Sequence, residues 1–507
     1  MNHCLLFAVN NVIADRTGGI HRMATHLRTQ GWDCEVVDFV MYWTPEELLE
    51  LVKSRVTSKT KFIGLSYLWN RAETVHNLAL ALQWIKTNYP DVIVISGAQS
   101  PLVDYTYSDY HIFGYGEDAI DALLKWKFSN GTRPKFDLNS NAPLKVINAV
   151  RDYPAHPMRS AMIKYEDRDF IMPGEWGRIE FSRGCIFSCK FCNFPVLGVK
   201  EDYSRHADNV REQMMDAYDR FGIENYLISD ETFNDRTEKI SKFADVVETL
   251  PWKPYFAGFI RADLLINRPK DREELLRMGM LGHFYGIETF NKETAKFINK
   301  GADVEKMKRG LVEVKNYFKA NTDLYRANIS LIAGLPYETM DSLESTYQWI
   351  KANWRDQVAC VGPLELLQSN DPRRSELSTE VEKFGYEQIE VDISMKPNIE
   401  YNSKSQSNEN VIVLAQTGAE PSYAWKNQNM DIFQAWDWCV KVDNLYKLGG
   451  RNMAKMEGYF LSRILCNEDG NPLTLRQKLK LVEDTARPHY GYFDIFVKRY
   501  KDKKLSI

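Results

Sequence analysis

The first 130 residues alternate between short apolar runs and longer segments in which apolar residues recur at helical spacing. A chain of this kind builds βαβ units, whose strands are parallel and whose helices cover both faces of the sheet. The ligand crevice then lies at the carboxyl ends of the strands. The predicted strands are residues 4–9, 34–39, 61–68 and 91–95, and the predicted helices are residues 19–31, 44–56, 71–89 and 118–126.

Residues 131–175 break this rhythm. They are rich in proline, asparagine and charged residues, which interrupt any periodic element, so we expect a connector here. The first domain is accordingly expected at residues 1–130, as a doubly wound parallel sheet of the Rossmann type.

A second βα series begins at residue 176 and continues to residue 370. Six βα units predict a partial (β/α)6 barrel, in which the chemistry lies on the loops that follow the strands. The predicted strands are residues 178–182, 225–229, 255–260, 283–287, 327–333 and 358–367, and the predicted helices are residues 207–221, 237–250, 271–278, 304–319 and 340–353.

The last segment, residues 371–507, is expected to form a mainly helical cap. It contains an Asn/Ser-rich loop at residues 398–410 and a helical pattern at residues 440–465. Between them, Trp425, Trp436 and Trp438 lie close together in the sequence. These aromatic residues have two interpretations, the core of a small helical domain or a lid over the mouth of the barrel.

The composition sets the class of protein. With 507 residues, of which 44% are hydrophobic and 26% charged, the chain has the profile of a globular enzyme with several domains. Its net charge of −4 argues against a nucleic-acid-binding surface along the whole protein. No apolar run has the length of a membrane span, and the first residues lack the basic region of a signal peptide. We therefore expect a cytoplasmic protein without a membrane partner.

Three cysteines at short spacing, Cys185, Cys189 and Cys192, give the strongest chemical signal. One loop with this spacing can wrap three thiolates around one inorganic centre, and thiolates favour iron–sulfur clusters or zinc over hard ions. Three ligands leave one metal position open for a substrate or cofactor. A structural zinc site would need a fourth ligand, and the next histidine, His206, lies fourteen residues beyond Cys192.

The other five cysteines have no metal-ligand spacing and are most simply buried, reduced thiols. A second cluster built from Cys360, Cys439 and Cys466 is an alternative that the sequence leaves open.

The cysteine triad, with the aromatic Phe191 just before its third member, resembles the radical S-adenosylmethionine (SAM) superfamily. In that family three cysteines hold a [4Fe-4S] cluster, and the amino and carboxylate groups of SAM chelate the fourth iron. Reduction of the cluster cleaves SAM to methionine and a 5′-deoxyadenosyl radical, which abstracts hydrogen from the substrate. The resemblance implies Cys185, Cys189 and Cys192 as cluster ligands, Phe191 beside SAM, and an electron donor such as flavodoxin or ferredoxin. The substrate is not indicated.

Polar residues at the later strand ends lie where such a barrel would hold SAM. Asp230 and Glu231 follow the second strand and could accept hydrogen bonds from the SAM ammonium group. Arg261 ends the third strand and is placed to meet a carboxylate. Glu288 ends the fourth and suits the ribose hydroxyls or the SAM amine. Gly334 lies in a turn that resembles the family's G-x-P-x-E-T sequence and would admit the adenine.

Each of these residues also has a structural interpretation. The carboxylates could cap helices, and Arg261 and Glu288 could form an ion pair. Four polar groups at four successive strand ends behind the cysteine triad favour the SAM site for the set.

The turns of the first domain resemble those of the cobalamin-binding domain that precedes the barrel in one large radical SAM branch. Ser66 closes the third strand, Gly97 closes the fourth, and Gly114, Gly116 and Glu117 lie in a G-x-G-E turn. Glycine at a strand end lets the backbone approach a bulky ligand. The resemblance implies these five residues as cobalamin contacts.

One departure from the pattern of that branch concerns the cobalt ligand. Domains that ligate cobalt carry Asp-x-His-x-x-Gly after the first strand, whereas residues 14–21 read Ala-Asp-Arg-Thr-Gly-Gly-Ile-His. His21 is then either a displaced ligand or a surface or capping residue. Either cobalamin binds without a protein histidine, or the domain is a vestigial scaffold.

The sequence therefore leaves three functions open. The favoured one is a radical SAM enzyme, for which the common chemistry of the resembling branch is cobalamin-dependent C-methylation. The second is a radical SAM isomerase, cyclase or oxidoreductase that does not use cobalamin. The third, of another class, is a non-catalytic iron–sulfur or zinc protein.

Overall fold

Two parallel β-sheets follow each other along the chain. The computed structural model describes residues 3–9, 16–67, 72–98, 107–138, 144–154, 161–192, 203–301, 303–366, 375–389, 424–447, 466–467, 469, 471–484 and 490–506. The predicted loop at residues 398–410 and most of the helix predicted at residues 440–465 lie outside these residues.

The first sheet has the strand order β2-β1-β3-β4-β5-β7-β6. All neighbours are parallel except β6 and β7. Apolar side chains from both faces are buried, in one core against α2 and α3 and another against α1 and α4, which confirms a doubly wound sheet. The strands are β1 (His3–Val9), β2 (Asp33–Val37), β3 (Thr60–Tyr67), β4 (Ile93–Ala98), β5 (Tyr110–Phe113), β6 (Asp137–Leu138) and β7 (Lys145–Asn148), and the helices are α1 (Gly18–Thr29), α2 (Pro45–Arg55), α3 (Ala72–Asn88), α4 (Glu117–Phe128) and α5 (Ala149–Asp152).

The second sheet has the order β15-β14-β13-β12-β11-β8 and is parallel throughout. It forms the expected partial barrel. Its strands are β8 (Gly177–Ile179), β11 (Tyr226–Ile228), β12 (Phe256–Ile260), β13 (Met280–Glu288), β14 (Arg326–Ala333) and β15 (Val358–Pro363). Its helices are α6 (Ala207–Phe221), α7 (Thr237–Glu248), α8 (Ala262–Asn267), α9 (Pro269–Met278), α10 (Lys292–Phe297), α11 (Val304–Asn321) and α12 (Met340–Asn353).

The strand predicted at residues 178–182 is divided into two. After β8 the chain leaves the barrel sheet because the Phe181 amide donates to Asp230 Oδ1 at 2.7 Å. The short strand β9 (Ser182–Arg183) then pairs antiparallel with β10 (Tyr203–Ser204). The cysteine loop lies between these two strands, so their pairing closes its base.

The first sheet also uses more of the chain than the sequence pattern indicated. Strand β5 is only four residues long, so the pattern did not reveal it. Strands β6 and β7 lie within the segment predicted as a connector, beyond residue 130.

The C-terminal residues pack on both sheets. The short helix α13 (Glu376–Thr379) precedes β16 (Glu387–Gln388), which pairs with β17 (Trp425–Lys426). Trp425 and Trp438, the latter on helix α14 (Ile432–Lys447), belong to the core of the barrel. Their indole nitrogens donate to Leu364 O at 2.7 Å and Leu343 O at 2.8 Å. Both tryptophans therefore have the core-packing role, rather than that of a lid.

Helix α15 (Leu475–Asp484) is followed by α16 (Tyr490–Leu505), which packs on the first sheet. Phe496, Val497 and Tyr500 complete the core beneath α2 and α3. None of the described helices is long and apolar enough to cross a membrane.

A buried charged cluster joins these parts of the chain. Arg16 is only 3% exposed, and its guanidinium donates to Asp38 at 2.6 Å and to Glu175 at 2.7 Å. The ring of Tyr500 lies 5.2 Å from the guanidinium carbon. Burial alone would raise the pKa of Asp38, but His21 and Arg16 lower this pKa to about 2. Asp38 is therefore a carboxylate at neutral pH.

His21 belongs to the same cluster. It is fully buried, and its Nε2 atom lies 3.0 Å from Asp38 Oδ1. The interpretation of His21 as a surface or capping residue was wrong. The reason is tertiary, because Tyr165 from the connector packs edge-on against the imidazole and covers it.

Removing the Arg16 cation should destabilise the protein strongly. Arg16→Met leaves Asp38 and Glu175 buried without a cation, and breaking a buried pair in this way costs about 3–5 kcal/mol. We expect a loss of this size in the free energy of unfolding measured with urea. Arg151→Met is the matched control, because Arg151 pairs with Asp137 and Asp152 at the surface. Equal losses in the two variants would contradict this role of Arg16.

Candidate active site

The cysteine loop and the carboxyl ends of strands β11, β12 and β13 line a cavity of about 260 Å³. Cys185, Cys189 and Cys192 all lie on its wall and are all partly exposed. The loop begins at Gly184, whose φ of 103° is strained for a residue with a side chain. Sequence spacing and tertiary structure therefore bring the same three thiols to one cavity.

The thiols have polar neighbours of the kind that tune sulfur ligands. Cys185 Sγ lies 3.6 Å from Thr232 Oγ1, and Arg261 Nη1 lies 3.8 Å from Cys189 Sγ. Polar neighbours of this kind orient the sulfur ligands of a metal centre. This donor set fits an iron–sulfur cluster with one open position. Among the described residues, no group of three or more His, Cys, Asp or Glu side chains is placed to hold a single metal ion.

Glu288 ends β13 and lines the cavity beside the cysteines. Its φ of 67° lies in the left-handed region, and the register between β13 and β14 shifts at this point. A side chain on Gly286 would come within 2.6 Å of Glu288 Oε1, so glycine at this position makes room for the carboxylate. Strained backbone of this kind is concentrated at functional sites.

The charge of Glu288 is matched by Lys300. The ammonium lies 3.3 Å from Glu288 Oε1 and also donates to Gly286 O at 2.9 Å. Burial raises the pKa of Glu288, whereas Lys300 and Arg261 lower it in part. A cationic ligand in the cavity would therefore favour the ionised carboxylate further.

Arg261 follows β12 and lies between the cysteine loop and the cavity. It holds Asp263 through two hydrogen bonds, at 2.9 and 2.8 Å. Its guanidinium carbon lies 3.7 Å from the centroid of the Phe187 ring. Arg261 thus has a charge partner of its own, and this partner is Asp263 rather than Glu288.

The two carboxylates after β11 have different positions. Glu231 lines the cavity, and its two oxygens accept from the Tyr115 hydroxyl at 2.8 Å and from the Gly184 amide at 3.1 Å. Asp230 is buried behind it and accepts from the Phe181 amide and from Ser182 Oγ. Asp230 therefore orders the base of the cysteine loop.

Gly334 lies in the turn after β14, outside the residues that line the cavity. Its φ is 94°, and a side chain there would come within 2.2 Å of the Trp425 ring. The Glu338 carboxylate accepts from the Gly334 amide at 2.9 Å and from Thr289 Oγ1 at 2.6 Å. Glycine is thus required here both by the backbone conformation and by the tryptophan beside it.

The five residues of the first domain separate into two groups. Ser66 and Gly97 are register partners at the carboxyl ends of β3 and β4. Among the residues that the structure describes, a side chain on Gly97 would meet Ile112 O alone, at 3.8 Å, which is an ordinary contact distance. By contrast, side chains on Gly114 and Gly116 would meet Val150 at 2.8 Å and Met23 at 3.2 Å. The sheet edge near Gly97 is therefore the more open part.

Glu117, in the same turn, takes part in an ion cluster between the two sheets. It pairs with Arg22 at 2.7 Å and with Arg183 at 3.1 Å. Glu180 pairs with both arginines as well. Burial raises the pKa of Glu180 to about 8 despite Arg22, and the nearby carboxylates add to the shift. The first domain thus contacts the barrel at the cysteine loop.

Part of the barrel sequence matches a known protein family. Residues 179–350 match the model of the Radical SAM superfamily. This segment of the chain is a radical SAM domain. The matched radical SAM domain contains the cysteine triad and the strand ends at Arg261, Glu288 and Gly334.

Solved structures of two radical SAM enzymes resemble the fold. One is the methyltransferase TsrM from Kitasatospora setae with tryptophan and a SAM analogue bound, at 15% identity and a TM-score of 0.62, with 77% of this chain and 79% of that chain covered. The other is the cobalamin-dependent enzyme OxsB with aqua-cobalamin and SAM, at 16% identity and a TM-score of 0.52, with 71% and 53% covered. At such identities the likeness is one of fold. No curated protein matches the sequence significantly.

Sequence reasoning missed several residues of the radical SAM domain that line the cavity. They are Phe187, Thr232, Phe259, Phe284 and Lys300. Phe259 and Phe284 pack edge to face at 4.9 Å on adjacent strands, and Phe259 remains 36% exposed. A phenylalanine within a strand is normally expected in the hydrophobic core. The exposure of Phe259 is what marks it as a cavity residue, and this exposure is known only from the tertiary structure.

Proposed function

We propose that the cavity binds a [4Fe-4S] cluster through Cys185, Cys189 and Cys192 and binds SAM at the open iron. The observation that carries this proposal is the convergence of three partly exposed thiols with Glu288 and Arg261 in one cavity. When bound and reduced, the cluster supplies the reductive cleavage of SAM to a 5′-deoxyadenosyl radical.

The residues of the chain would bind and orient SAM. Glu288 offers a carboxylate to the amine or the ribose hydroxyls, and Glu231 offers the remaining acceptor sites of its oxygens. Arg261 offers a guanidinium to the SAM carboxylate. The rings of Phe187, Phe191, Phe259 and Phe284 line the same cavity and exclude water from a reactive radical. In this proposal Asp230 and Gly334 support the loops around SAM.

We propose further that the first domain binds cobalamin and that the reaction is the transfer of a methyl group to carbon. The support is the fold likeness to TsrM, a methyltransferase also solved with cobalamin and a [4Fe-4S] cluster, and to OxsB. Gly97 also lies at the carboxyl edge of the sheet, where a side chain would meet no close contact among the described residues, and ligands of parallel sheets bind at this edge. His21 is committed to Asp38, so cobalamin would bind without this histidine. Residues 1–148 would form this domain, with the barrel at 176–370 and the C-terminal region at 371–507.

The first prediction from this proposal concerns the three thiols. Each of Cys185→Ala, Cys189→Ala and Cys192→Ala should abolish cluster binding and the formation of 5′-deoxyadenosine, because three ligands are needed to hold the cluster. Iron content after anaerobic reconstitution and deoxyadenosine formation with a chemical reductant are the measurements. Cys360→Ala, which removes an exposed cysteine outside the cavity, is the control and should keep both. Deoxyadenosine from the triple variant would refute the ligand assignment.

The second prediction concerns Glu288. Glu288→Gln should weaken SAM binding about tenfold to a hundredfold, because a hydrogen bond to a charged group contributes about 1.5–3 kcal/mol. Equilibrium dialysis of SAM against the reconstituted protein measures this, and iron content should stay unchanged. Glu293→Gln, an exposed carboxyl change on the neighbouring α10, is the control. A fall in thermal stability with unaltered SAM affinity would show that the role of Glu288 is only to form the ion pair with Lys300.

The third prediction concerns cobalamin. The purified protein should retain it stoichiometrically, and Gly97→Trp should eliminate the binding, because the indole would occupy the sheet edge beside Gly97. The visible spectrum of the purified protein is the measurement. Ser54→Trp is the control, since it adds the same ring to an exposed position in the last turn of α2. A protein that binds no cobalamin and still cleaves SAM would favour the cobalamin-independent isomerase, cyclase or oxidoreductase.

A further inference from the structure

A tyrosine of the first domain reaches the cysteine loop of the barrel. Tyr115 lies in the turn between β5 and α4, and its hydroxyl donates to Glu231 Oε1 at 2.8 Å. The two residues are 116 positions apart in the chain. This hydrogen bond therefore joins the two sheets directly.

Glu231 also contacts the cysteine loop. Its other oxygen, Oε2, accepts from the amide of Gly184, the residue that precedes the first cysteine. Gly184 has a φ of 103°, so the loop turns sharply at the point that Glu231 holds. The next residue along from Glu231, Thr232, has its hydroxyl 3.6 Å from Cys185 Sγ. Glu231 thus holds the amide before Cys185 with its carboxylate, and its backbone oxygen accepts from the Thr232 hydroxyl at 2.8 Å.

Tyr115 itself is held firmly. The guanidinium of Arg183 lies 3.9 Å from the centroid of its ring, and Arg183 pairs with Glu117 from the same turn. Arg183 also lies directly before Gly184 in strand β9. Two separate contacts, one through the ring and one through the hydroxyl, therefore connect the turn of the first domain to the start of the cysteine loop.

We propose that Tyr115 is a positioning residue that holds the cysteine loop in its ligating shape through Glu231. The inference rests on the proposed function, because it takes Cys185 as a cluster ligand. It adds that the turn at residues 114–117 controls the cluster loop, so that a ligand that moves this turn alters the surroundings of the cluster.

Tyr115→Phe tests the hydroxyl alone, because phenylalanine keeps the ring over Arg183. In the protein without its cluster, hydrogen exchange at the Gly184 amide should become about tenfold faster, as expected for the loss of one hydrogen bond to a charged group. In the reconstituted protein, iron content at the start should match that of the wild type. Iron loss to a chelator should be several-fold faster, and the electron paramagnetic resonance spectrum of the reduced cluster should shift.

The control is Tyr226→Phe, which removes a buried hydroxyl bonded to Ile223 O at 3.3 Å within the barrel. It should lose stability without changing Gly184 exchange or the cluster spectrum. Equal effects in the two variants, or a Tyr115→Phe variant that matches the wild type in both measurements, would overturn the proposal.

Changes at Glu231 test whether Tyr115 acts through it. Glu231→Ala should accelerate exchange at the Gly184 amide more than Tyr115→Phe does, and adding Tyr115→Phe to Glu231→Ala should cause no further acceleration.

Glu231→Gln should keep most of the loop order that Glu231→Ala loses, because its amide oxygen can accept from Gly184 and its NH2 group can donate to Tyr115. A Tyr115→Phe effect that persists in Glu231→Ala would contradict this route. The wild-type protein could also take up no iron while Tyr115→Phe still accelerates exchange at the Gly184 amide. This result would refute the proposed function but would support the positioning role of Tyr115.

Discussion

The relation between the two sheets depends on one buried cation. Arg16 pairs with Asp38, which follows β2 of the first sheet, and with Glu175, which precedes β8 of the second. Tyr500 from the C-terminal helix covers the guanidinium. Burying a carboxylate costs free energy unless a cation or hydrogen-bond donors compensate for the lost water. Arg16 compensates Asp38 and Glu175 together, so this cation couples the first sheet, the connector and the last helix.

This arrangement brings the carboxyl edges of both sheets to a common region. The evidence of contact is the ion cluster of Glu117, Arg22, Arg183 and Glu180, together with the bond from Tyr115 to Glu231. Parallel sheets place their ligand sites at these edges. A ligand in the crevice of the first sheet and one in the barrel would then be neighbours.

The polar residues at the barrel mouth have two roles: some shape the loops, and others face the cavity. Asp230, Gly334 and Glu338 use their hydrogen bonds and backbone conformations to shape the loops. Glu288 and Arg261 instead face the cavity, with Lys300 and Asp263 as partners that a ligand can compete with or complement. The sequence correctly predicted polar residues at the ends of the barrel strands. Which of these residues face the cavity depends on the direction of each side chain, which sequence spacing alone does not determine.

The sequence by itself determined the two βα series and the short spacing of the three thiols, because each follows from a local pattern. It also placed the helices at residues 207–221 and 340–353. It did not reveal β5 to β7, the burial of His21 or the docking of Tyr500, since these depend on partners far along the chain. Only the tertiary structure decided that Glu117 pairs with Arg183 and that Tyr115 contacts Glu231, because each contact joins the first domain to the barrel across 66 and 116 positions of the chain.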